Sequence, residues 1–318
     1  MISNQQVLQL IHGCVESKEI GEYIAFYHCN SYQIKHTAFD DFLHVRAPFS
    51  TSVTLEFYTD ATKFGFDVKK VYIGSNDTFD LYIDNVAYEF RELETIADGD
   101  SVEFTLPAGN KRILLYFPND SELLFKNFWI EGNYEPVLPR TKTMVCYGDS
   151  ITNGYGSFRS SLTYVHVMNR QMHFNIYNHG IGGYWYDENF ISPTKSIEPD
   201  YILVSLGTNQ IRSDDRFDRI DKFYKNLFEI YPNAKFFVIT PIWRGDRPEA
   251  LTLIPQMRDY LFNKLKDNPN VFVIDGYKLV PHMDYFFADK LHPNAIGMEY
   301  YGNNLAKILK EVIDTKRW

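Results

Sequence analysis

The fold of this 318-residue chain is indicated most clearly by the segment Met144-Val145-Cys146-Tyr147-Gly148-Asp149-Ser150-Ile151-Thr152. Its first four residues form a short, nearly apolar run, as in a strand of a parallel sheet that is covered on both faces. Gly148 and Asp149 follow, and the serine comes where the strand gives way to a helix. A serine at such a point is exposed beside the first N–H groups of the helix. The pattern predicts a nucleophile at Ser150; the alternative is that Ser150 only caps the helix.

The rest of the second half alternates similar apolar runs with amphipathic stretches. The predicted strands lie at residues 144–147, 201–205, 236–239 and 271–274, and the predicted helices near 160–172, 214–231, 248–267 and 296–313. This alternation predicts an α/β sandwich with a parallel sheet. Because ligands bind beyond the carboxyl ends of the strands in such a sheet, the loops at those ends are expected to carry the chemistry.

The first half of the chain has a different pattern. Short runs that alternate apolar and polar residues are separated by turn residues, which is typical of an antiparallel β-sandwich or jelly roll. Examples are the runs 53–57, 79–83 and 102–106 and the turns 74–77, 98–100 and 107–110. The more apolar runs 113–117 and 123–125 are predicted to be central strands. Two prolines with Gly and Asn indicate a linker at 132–140, so we predict domains at 1–135 and 136–318.

Composition argues against several classes of partner. The chain has 32 Lys and Arg against 41 Asp and Glu, a formal net charge of −9, and no basic cluster stands out. Nucleic acids and anionic membranes are therefore not expected partners. Three cysteines give neither a disulfide framework nor a zinc motif. The sequence shows no signal-peptide pattern and no apolar run of about 18 residues, so we expect a soluble, cytoplasmic protein.

The best candidate for a base that activates the serine lies in Asp289-Lys290-Leu291-His292-Pro293. An Asp three residues before a His can reach back to the imidazole Nδ1, which sets the tautomer and leaves Nε2 free to take the serine proton. Pro293 suits the first turn of a following helix. The alternative is that Asp289 caps a turn and His292 is a surface residue. His282 and Asp284 form a substitute pair with a less favourable spacing.

Two further segments lie at predicted strand ends. Gly183 ends the stretch Asn178-His179-Gly180-Ile181-Gly182-Gly183 and, without a Cβ, can bring its backbone N–H close to a substrate. Asn209 follows Ser205-Leu206-Gly207-Thr208, and its side-chain amide can donate to an oxyanion. The alternatives are a plain glycine turn and an Asx turn. We interpret His179 as structural and Asp149 as a brace of the serine loop.

Aromatic residues are abundant, with 25 Phe and 23 Tyr. They suit the packing of β-sheets as well as surfaces that contact sugars. In or near the predicted strand-end loops, the candidates for substrate binding are Tyr155, Tyr184, Trp185 and Trp243. Packing in the core or in a lid is the alternative for each of them.

Four spaced blocks, in this order, resemble the SGNH (GDSL) hydrolases. The blocks are Gly148-Asp149-Ser150-Ile151-Thr152, Gly180-Ile181-Gly182-Gly183, Gly207-Thr208-Asn209 and Asp289-Lys290-Leu291-His292-Pro293, and the resemblance covers about residues 136–318. It implies a flavodoxin-like three-layer domain in which Ser150 is the nucleophile, His292 the general base and acid, and Asp289 the residue that orients His292. It also implies an oxyanion hole made by the backbone N–H groups of Ser150 and Gly183 and the Asn209 amide, without a metal or organic cofactor. Gln210 departs from the family pattern, which usually has Asp there.

Two narrower resemblances bear on the substrate. Residues 152–156 are similar to bacterial carbohydrate esterases and their relatives, which often carry an N-terminal jelly-roll domain. Residues 57–62 are similar to SGNH enzymes related to a polyketide acyltransferase. Together they imply a serine esterase that acts on a carbohydrate ester, which is a small molecule or an oligosaccharide. The sequence shows no long acyl-binding tunnel or lid, so we expect a short acyl group such as acetyl. The alternatives are an acyltransferase, a lysophospholipase or thioesterase, and an inactive glycan-binding protein; a homo-oligomer is compatible with the sequence.

Overall fold

The computed structural model describes residues 1–74, 77–193 and 197–315. Within these ranges the strands are Ile11–His12 (β1), Glu16–Ile20 (β2), Tyr23–Tyr27 (β3), Thr54–Thr59 (β4), Lys63–Ile73 (β5), Thr78–Ile83 (β6), Val86–Glu92 (β7), Ser101–Thr105 (β8), Lys111–Tyr116 (β9), Ser121–Ile130 (β10), Tyr134–Pro136 (β11), Thr143–Gly148 (β12), Asn175–Gly180 (β13), Tyr201–Ser205 (β14), Lys235–Ile239 (β15) and Val271–Ile274 (β16). The α-helices are Asn4–Leu8 (α1), Ser31–His36 (α2), Asp41–His44 (α3), Ser150–Asn153 (α4), Tyr164–Met172 (α5), Arg216–Ile230 (α6), Ala250–Leu265 (α7) and Ala295–Thr315 (α8).

The last five strands form a parallel sheet in the order β13-β12-β14-β15-β16. In chain order this is 2-1-3-4-5, the arrangement of flavodoxin-like folds. Helices α6 and α7 pack with one face of the sheet, and α5 and α8 pack with the other. Because both faces are covered, the strands are almost wholly apolar. The predicted α/β sandwich with a parallel sheet is confirmed.

The first eleven strands build two antiparallel sheets. One has the order β1-β4-β9-β6-β7, with β11 also paired to β4, and the other has the order β2-β3-β10-β5-β8. Apolar side chains of both sheets meet in one buried core, where Phe79 of the first sheet packs against Phe66 and Phe125 of the second. This is a sandwich, and its central strands include β9 and β10 as predicted. The jelly-roll arrangement of its connections stays a prediction.

Some local features differ from the expectations. The segment 132–140, expected to be a linker, contains β11, which pairs with β4 and extends the sandwich to Pro136. The helix expected near 160–172 begins at Tyr164, because the Thr163 side chain caps it by accepting the His166 N–H. The turn expected at 74–77 lies partly outside the described residues. The division at 135/136 stays a prediction.

Buried hydrogen bonds join loops of the sandwich to the end of the parallel sheet that carries Ser150. The Asn153 amide, on α4, donates to Thr51 Oγ1 at 2.9 Å and to the Asn119 carbonyl at 3.0 Å. The Asn178 amide, on β13, donates to Ser52 Oγ at 3.0 Å. A buried polar group left without its partner costs about 1–3 kcal/mol. These bonds therefore hold α4 against the first half of the chain.

Two features of residues 1–74, 77–193 and 197–315 bear on membrane and metal binding. None of the helices there is both long enough and apolar enough for a membrane crossing. The same residues hold no group of three or more His, Cys, Asp or Glu side chains placed to bind a metal ion. The cysteines, Cys14, Cys29 and Cys146, are free thiols. The location of the protein in the cell stays a prediction.

Candidate active site

Ser150 lies at the junction of β12 and α4. Asp149 caps the helix by accepting the Ile151 N–H at 3.0 Å, so the predicted bracing role of Asp149 is confirmed. Gly148 permits the tight turn, since a Cβ there would clash with Thr152 Oγ1. Ser150 is the first residue of the helix, and N–H groups in the first turn have no acceptor within the helix. The turn therefore presents a hydroxyl together with an N–H donor.

A relay of hydrogen bonds runs from Ser150 through His292 to Asp289. Ser150 Oγ donates to His292 Nε2 at 2.8 Å, and His292 Nδ1 donates to Asp289 Oδ2 at 2.7 Å. The other carboxylate oxygen of Asp289 accepts the backbone N–H groups of Leu291 at 3.0 Å and His292 at 2.8 Å. The three residues singled out in the sequence are thus brought together in the order that transfers the serine proton to an oriented imidazole.

The pKa values of two carboxyl groups of the site are shifted in opposite directions. Partial burial would raise the pKa of Asp289, but hydrogen bonds from the backbone and ring of His292 outweigh it and lower that pKa below its ordinary value. Burial raises the pKa of Asp149 to about 7, against the opposing effects of the Ile151 N–H and the Arg244 charge. Asp289 is therefore the ionised partner that an imidazolium needs.

The glycine loop passes directly beside the nucleophile. A Cβ at Gly182 would lie 3.9 Å from Ser150 Cβ, and Gly183 has a left-handed φ of +84°. The Asn209 amide donates to the Tyr184 carbonyl at 2.8 Å, which ties its turn to this loop. Gln210 makes a second tie, because its Oε1 accepts the Tyr186 N–H at 2.7 Å. The loop of Gly183 and the turn of Asn209 are therefore adjacent, and Gln210 supports them despite the departure from the family pattern.

Residues of α3 and the turn after it form a wall of the site that sequence reasoning missed. Phe42 Cε1 lies 2.8 Å from the position that a Cβ of Gly183 would take, and Arg46 Cδ and Nε lie 3.4 Å from that of Gly182. The Arg46 guanidinium stacks on the Phe42 ring, with its Cζ 3.7 Å from the ring centroid. No motif marks these residues, since they precede Ser150 by about a hundred positions and meet it only in the fold.

A buried arginine, also missed, supports the turn of Asn209. Arg244 follows β15, and its Nη1 donates to the Thr208 carbonyl at 2.8 Å. Its Nε and Nη2 each donate to a different carboxylate oxygen of Asp246 at 2.6 Å. The available signal was an Arg and an Asp two residues apart just beyond a predicted strand. Arg244 is a positioning residue, since its contacts are with the loop.

Tyr155 is the predicted substrate-binding residue that the structure brings nearest to the relay. It is 42% exposed, and its ring meets the His292 ring edge-on with the centroids 4.6 Å apart. It also lines a cavity of about 230 Å³ that Asp289 borders, together with Phe158 and Arg159. Tyr155 therefore has an exposed aromatic surface beside His292.

The other three aromatic candidates lie differently. Tyr184 is only 2% exposed and donates its hydroxyl to Asp187 at 2.9 Å, so it packs in the core and has no ring face for a sugar, which corrects that expectation. Trp185 is half-buried and stacks on Tyr184. Trp243 is half-buried and stacks on His282, with the centroids 5.9 Å apart. Trp185 and Trp243 stay candidates for substrate contact.

The remaining polar candidates are not part of the relay. His179 is buried and donates from Nδ1 to the His28 carbonyl at 2.8 Å, and burial lowers its pKa to about 3, so its predicted structural role is confirmed. His282 stacks on Trp243, as described above. Asp284 pairs with Lys290 at 3.1 Å. The substitute pair His282 and Asp284 thus has other contacts, whereas Asp289 bonds directly to His292.

A family model described as the GDSL-like lipase/acylhydrolase family matches residues 146–300, which include both Ser150 and His292. Residues 146–300 are a GDSL-like lipase/acylhydrolase domain. This domain places the protein in the enzyme class of the serine ester hydrolases. No curated protein matches the chain significantly.

Solved structures share the fold of this chain over nearly its whole length. The salicylyl-acyltransferase SsfX3 from a tetracycline biosynthetic pathway is 18% identical, with a TM-score of 0.76 over 95% of this chain and 94% of that one. A protein from Bacteroides ovatus described as a GDSL-like lipase is 17% identical, with a TM-score of 0.76 over 96% of each chain. A family two carbohydrate esterase from Cellvibrio japonicus is 15% identical, with a TM-score of 0.66 over 96% of each chain. The sandwich and the parallel-sheet half are thus both part of a shared fold.

Proposed function

We propose that this protein is a serine esterase that removes a short acyl group, most simply acetyl, from a carbohydrate. The observation that carries the proposal is the unbroken relay from Ser150 Oγ to His292 and Asp289, with bonds of 2.8 and 2.7 Å. A serine hydroxyl is a weak nucleophile unless an oriented base takes its proton. The relay supplies that base, and the glycine loop beside Ser150 supplies backbone N–H groups.

The proposed reaction has two steps. His292 Nε2 takes the Ser150 proton while Oγ attacks the ester carbonyl, and the oxyanion accepts hydrogen bonds from the Ser150 and Gly183 N–H groups and the Asn209 amide. The carbonyl re-forms, the C–O bond to the alcohol breaks, and the alcohol leaves with the proton from His292. Water then attacks the acyl-serine, giving its proton to His292. Release of the carboxylic acid returns the proton to Ser150.

Two features support the choice of substrate. Phe42 packs against Gly183, and Arg46 packs against Gly182. A bulky acyl group therefore has little room on that side of the nucleophile. The exposed ring of Tyr155 offers a face on which a sugar can stack. The carbohydrate esterases that share the fold support the same substrate class, and one of them, from Clostridium thermocellum, was solved in complex with cellohexaose.

The test is hydrolysis of p-nitrophenyl acetate, butyrate and octanoate, followed by acetylated xylo-oligosaccharides, with wild type and Ser150→Ala. We expect the highest kcat/KM with the acetate, release of acetate from the sugar, and no turnover above background in Ser150→Ala. Activity confined to the octanoate would refute the short-acyl assignment and favour a lysophospholipase or thioesterase. Acetate turnover without sugar deacetylation would refute the carbohydrate assignment.

A second candidate function is acyl transfer to an alcohol other than water. It is favoured by the likeness to a salicylyl-acyltransferase over nearly the full length of both chains. The same acyl-serine serves both reactions, since only the second nucleophile differs. The discriminating measurement is the partition of the acyl group between acid and new ester when a sugar alcohol is added. Release as acid at every alcohol concentration supports the esterase, and formation mainly of ester supports the transferase.

A further inference from the structure

A second cleft lies between the sandwich and the parallel-sheet half. It has a volume of about 410 Å³, and none of Ser150, His292 and Asp289 lines it. Its charged lining comes from both halves: Glu56 on β4, Arg112 on β9, Arg140 before β12 and Arg170 on α5. We call it the interdomain cleft.

Arginines outnumber carboxylates in this lining. Glu56 is 3% exposed and is shared by two guanidinium groups: Arg112 Nη2 lies 2.7 Å from its Oε2, and Arg140 Nη2 lies 2.9 Å from the same oxygen. Arg170 adds a third positive charge, and its Nη1 donates to the neutral Ser161 carbonyl at 2.6 Å. Three arginines against one glutamate leave two positive charges in the lining. This excess stands in a chain whose formal net charge is −9.

Two of the three histidines that line the cleft, His12 and His166, do not add to this charge. Burial is the main cause of the lowered pKa of His12. Burial together with the nearby charge of Arg170 lowers the pKa of His166 to about 3. Both imidazoles are therefore neutral near pH 7. The two excess positive charges counted above are those of guanidinium groups, which stay charged at any working pH.

An excess of partly buried guanidinium groups is energetically unfavourable unless an anion pairs with them. Taking a charge out of water is costly unless it is paired and hydrogen-bonded. Within the described residues, Arg112 Nε is buried and has no hydrogen-bond partner. Carboxylate and phosphate groups match the planar fork of arginine. We propose that the interdomain cleft binds a small organic anion of sugar size, held through a carboxylate or phosphate group by Arg140 and Arg170.

The test is isothermal titration calorimetry of the full chain with D-glucuronate, D-glucose 6-phosphate and, as the neutral control, D-glucose. We expect at least one of the two anions to bind with a Kd of about 1 mM or tighter, and glucose to bind at least about tenfold more weakly. Binding of only the uronate or only the phosphate would identify the acidic group. Binding of neither anion more tightly than glucose would overturn the proposal.

Variants of the lining arginines test whether the anion binds in the interdomain cleft. Arg140→Gln and Arg170→Gln should each weaken anion binding at least about tenfold, the loss expected for one charge-assisted hydrogen bond. Lys142→Gln is the matched control, since Lys142 loses the same charge but pairs with Asp200; its Kd should stay within about twofold of wild type. Equal weakening in Lys142→Gln and both cleft variants would overturn the proposal. If the Arg140→Gln variant does not fold because Glu56 has lost its ion pair with Arg140, the anion affinity of Arg170→Gln decides the test. Arg170 has no bond to Glu56 among those described.

This site is independent of the esterase reaction. Ser150→Ala should bind the anion with the wild-type Kd, because Ser150 does not line the cleft. Loss of anion binding in Ser150→Ala would place the anion in the active site and overturn the proposal. Far-UV circular dichroism of the same samples of Arg170→Gln reports folding, and esterase activity is measured separately, so a failed esterase assignment and a failed anion site are distinguishable.

Discussion

Replacing Asp289 by Asn tests how the imidazole is oriented. The Asn carbonyl oxygen can still accept the backbone N–H groups of Leu291 and His292, as Asp289 Oδ1 does at 3.0 and 2.8 Å. The NH₂ group then takes the place of Oδ2 and can only donate. His292 must therefore present Nδ1 as an acceptor and carry its proton on Nε2, where it faces Ser150 Oγ. In that tautomer His292 cannot take the serine proton.

The expected loss follows from that geometry. Two effects combine: the 2.7 Å charge-assisted bond to Nδ1 is gone, and the active tautomer is disfavoured. A wrong tautomer in a Ser-His-Asp site costs on the order of 10³–10⁴ in kcat, or about 4–5 kcal/mol of transition-state stabilisation. The Asp289 side chain is 47% exposed, so the free energy of unfolding should change by only about 1 kcal/mol or less.

The assay is kcat for p-nitrophenyl acetate at saturation, with urea unfolding of the same samples. Asp284→Asn is the matched control, because Asp284 lies five residues away and pairs with Lys290; its kcat should stay within about twofold of wild type. If Asp289→Asn kept more than about a tenth of the wild-type kcat while folded, the assignment of Asp289 as the orienting residue would be refuted.

Three further predictions concern the loops and the cap around Ser150. Asn209→Ala should lower kcat by about 10²–10³, the loss expected for one oxyanion donor, whereas a change in KM alone would exclude that role. Burial raises the pKa of Asp149 to about 7 from an ordinary value of 3.8, so the native state keeps a proton that the unfolded chain releases. The stability of wild type relative to Asp149→Asn should therefore fall as pH rises from about 4 to 7 and level off above that; urea midpoints that differ by a constant amount would contradict it. Phe42→Ala should raise the kcat/KM of p-nitrophenyl butyrate relative to acetate by about tenfold, as expected for the added space of a few methylenes; an unchanged ratio would mean that Phe42 does not limit the acyl group.

The pattern of the chain predicted the parallel sheet well because its strands are covered on both faces. Strands buried in this way are continuous apolar runs, and β14 and β16 have the bounds expected from the sequence. Strand β13 was harder to define, since it carries Asn175, Asn178 and His179 at the edge of the sheet. Its buried polar groups, Asn178 and His179, are satisfied by Ser52 and the His28 carbonyl, partners from the sandwich that local patterning does not show.

The relay was predictable because its members carry local signals. Ser150 follows a strand, and Asp289 lies three residues before His292 in one loop. The wall made by Phe42 and Arg46 was not predictable, because α3 is only four residues long and has no amphipathic period of its own. The packing of the two halves of the chain against each other places this wall beside Gly182. Tyr184 was misjudged for a related reason, since sequence does not show which face of a loop is buried.

The proposed chemistry depends on the activation of Ser150 by His292. The most direct test is covalent labelling with a fluorophosphonate, followed by intact-mass analysis and peptide mapping. We expect one adduct per chain, on Ser150, which is absent in Ser150→Ala and forms at least about 100-fold more slowly in His292→Ala. Labelling of Ser150→Ala as fast as wild type, or a folded wild-type protein that is not labelled, would show that Ser150 is not an activated nucleophile.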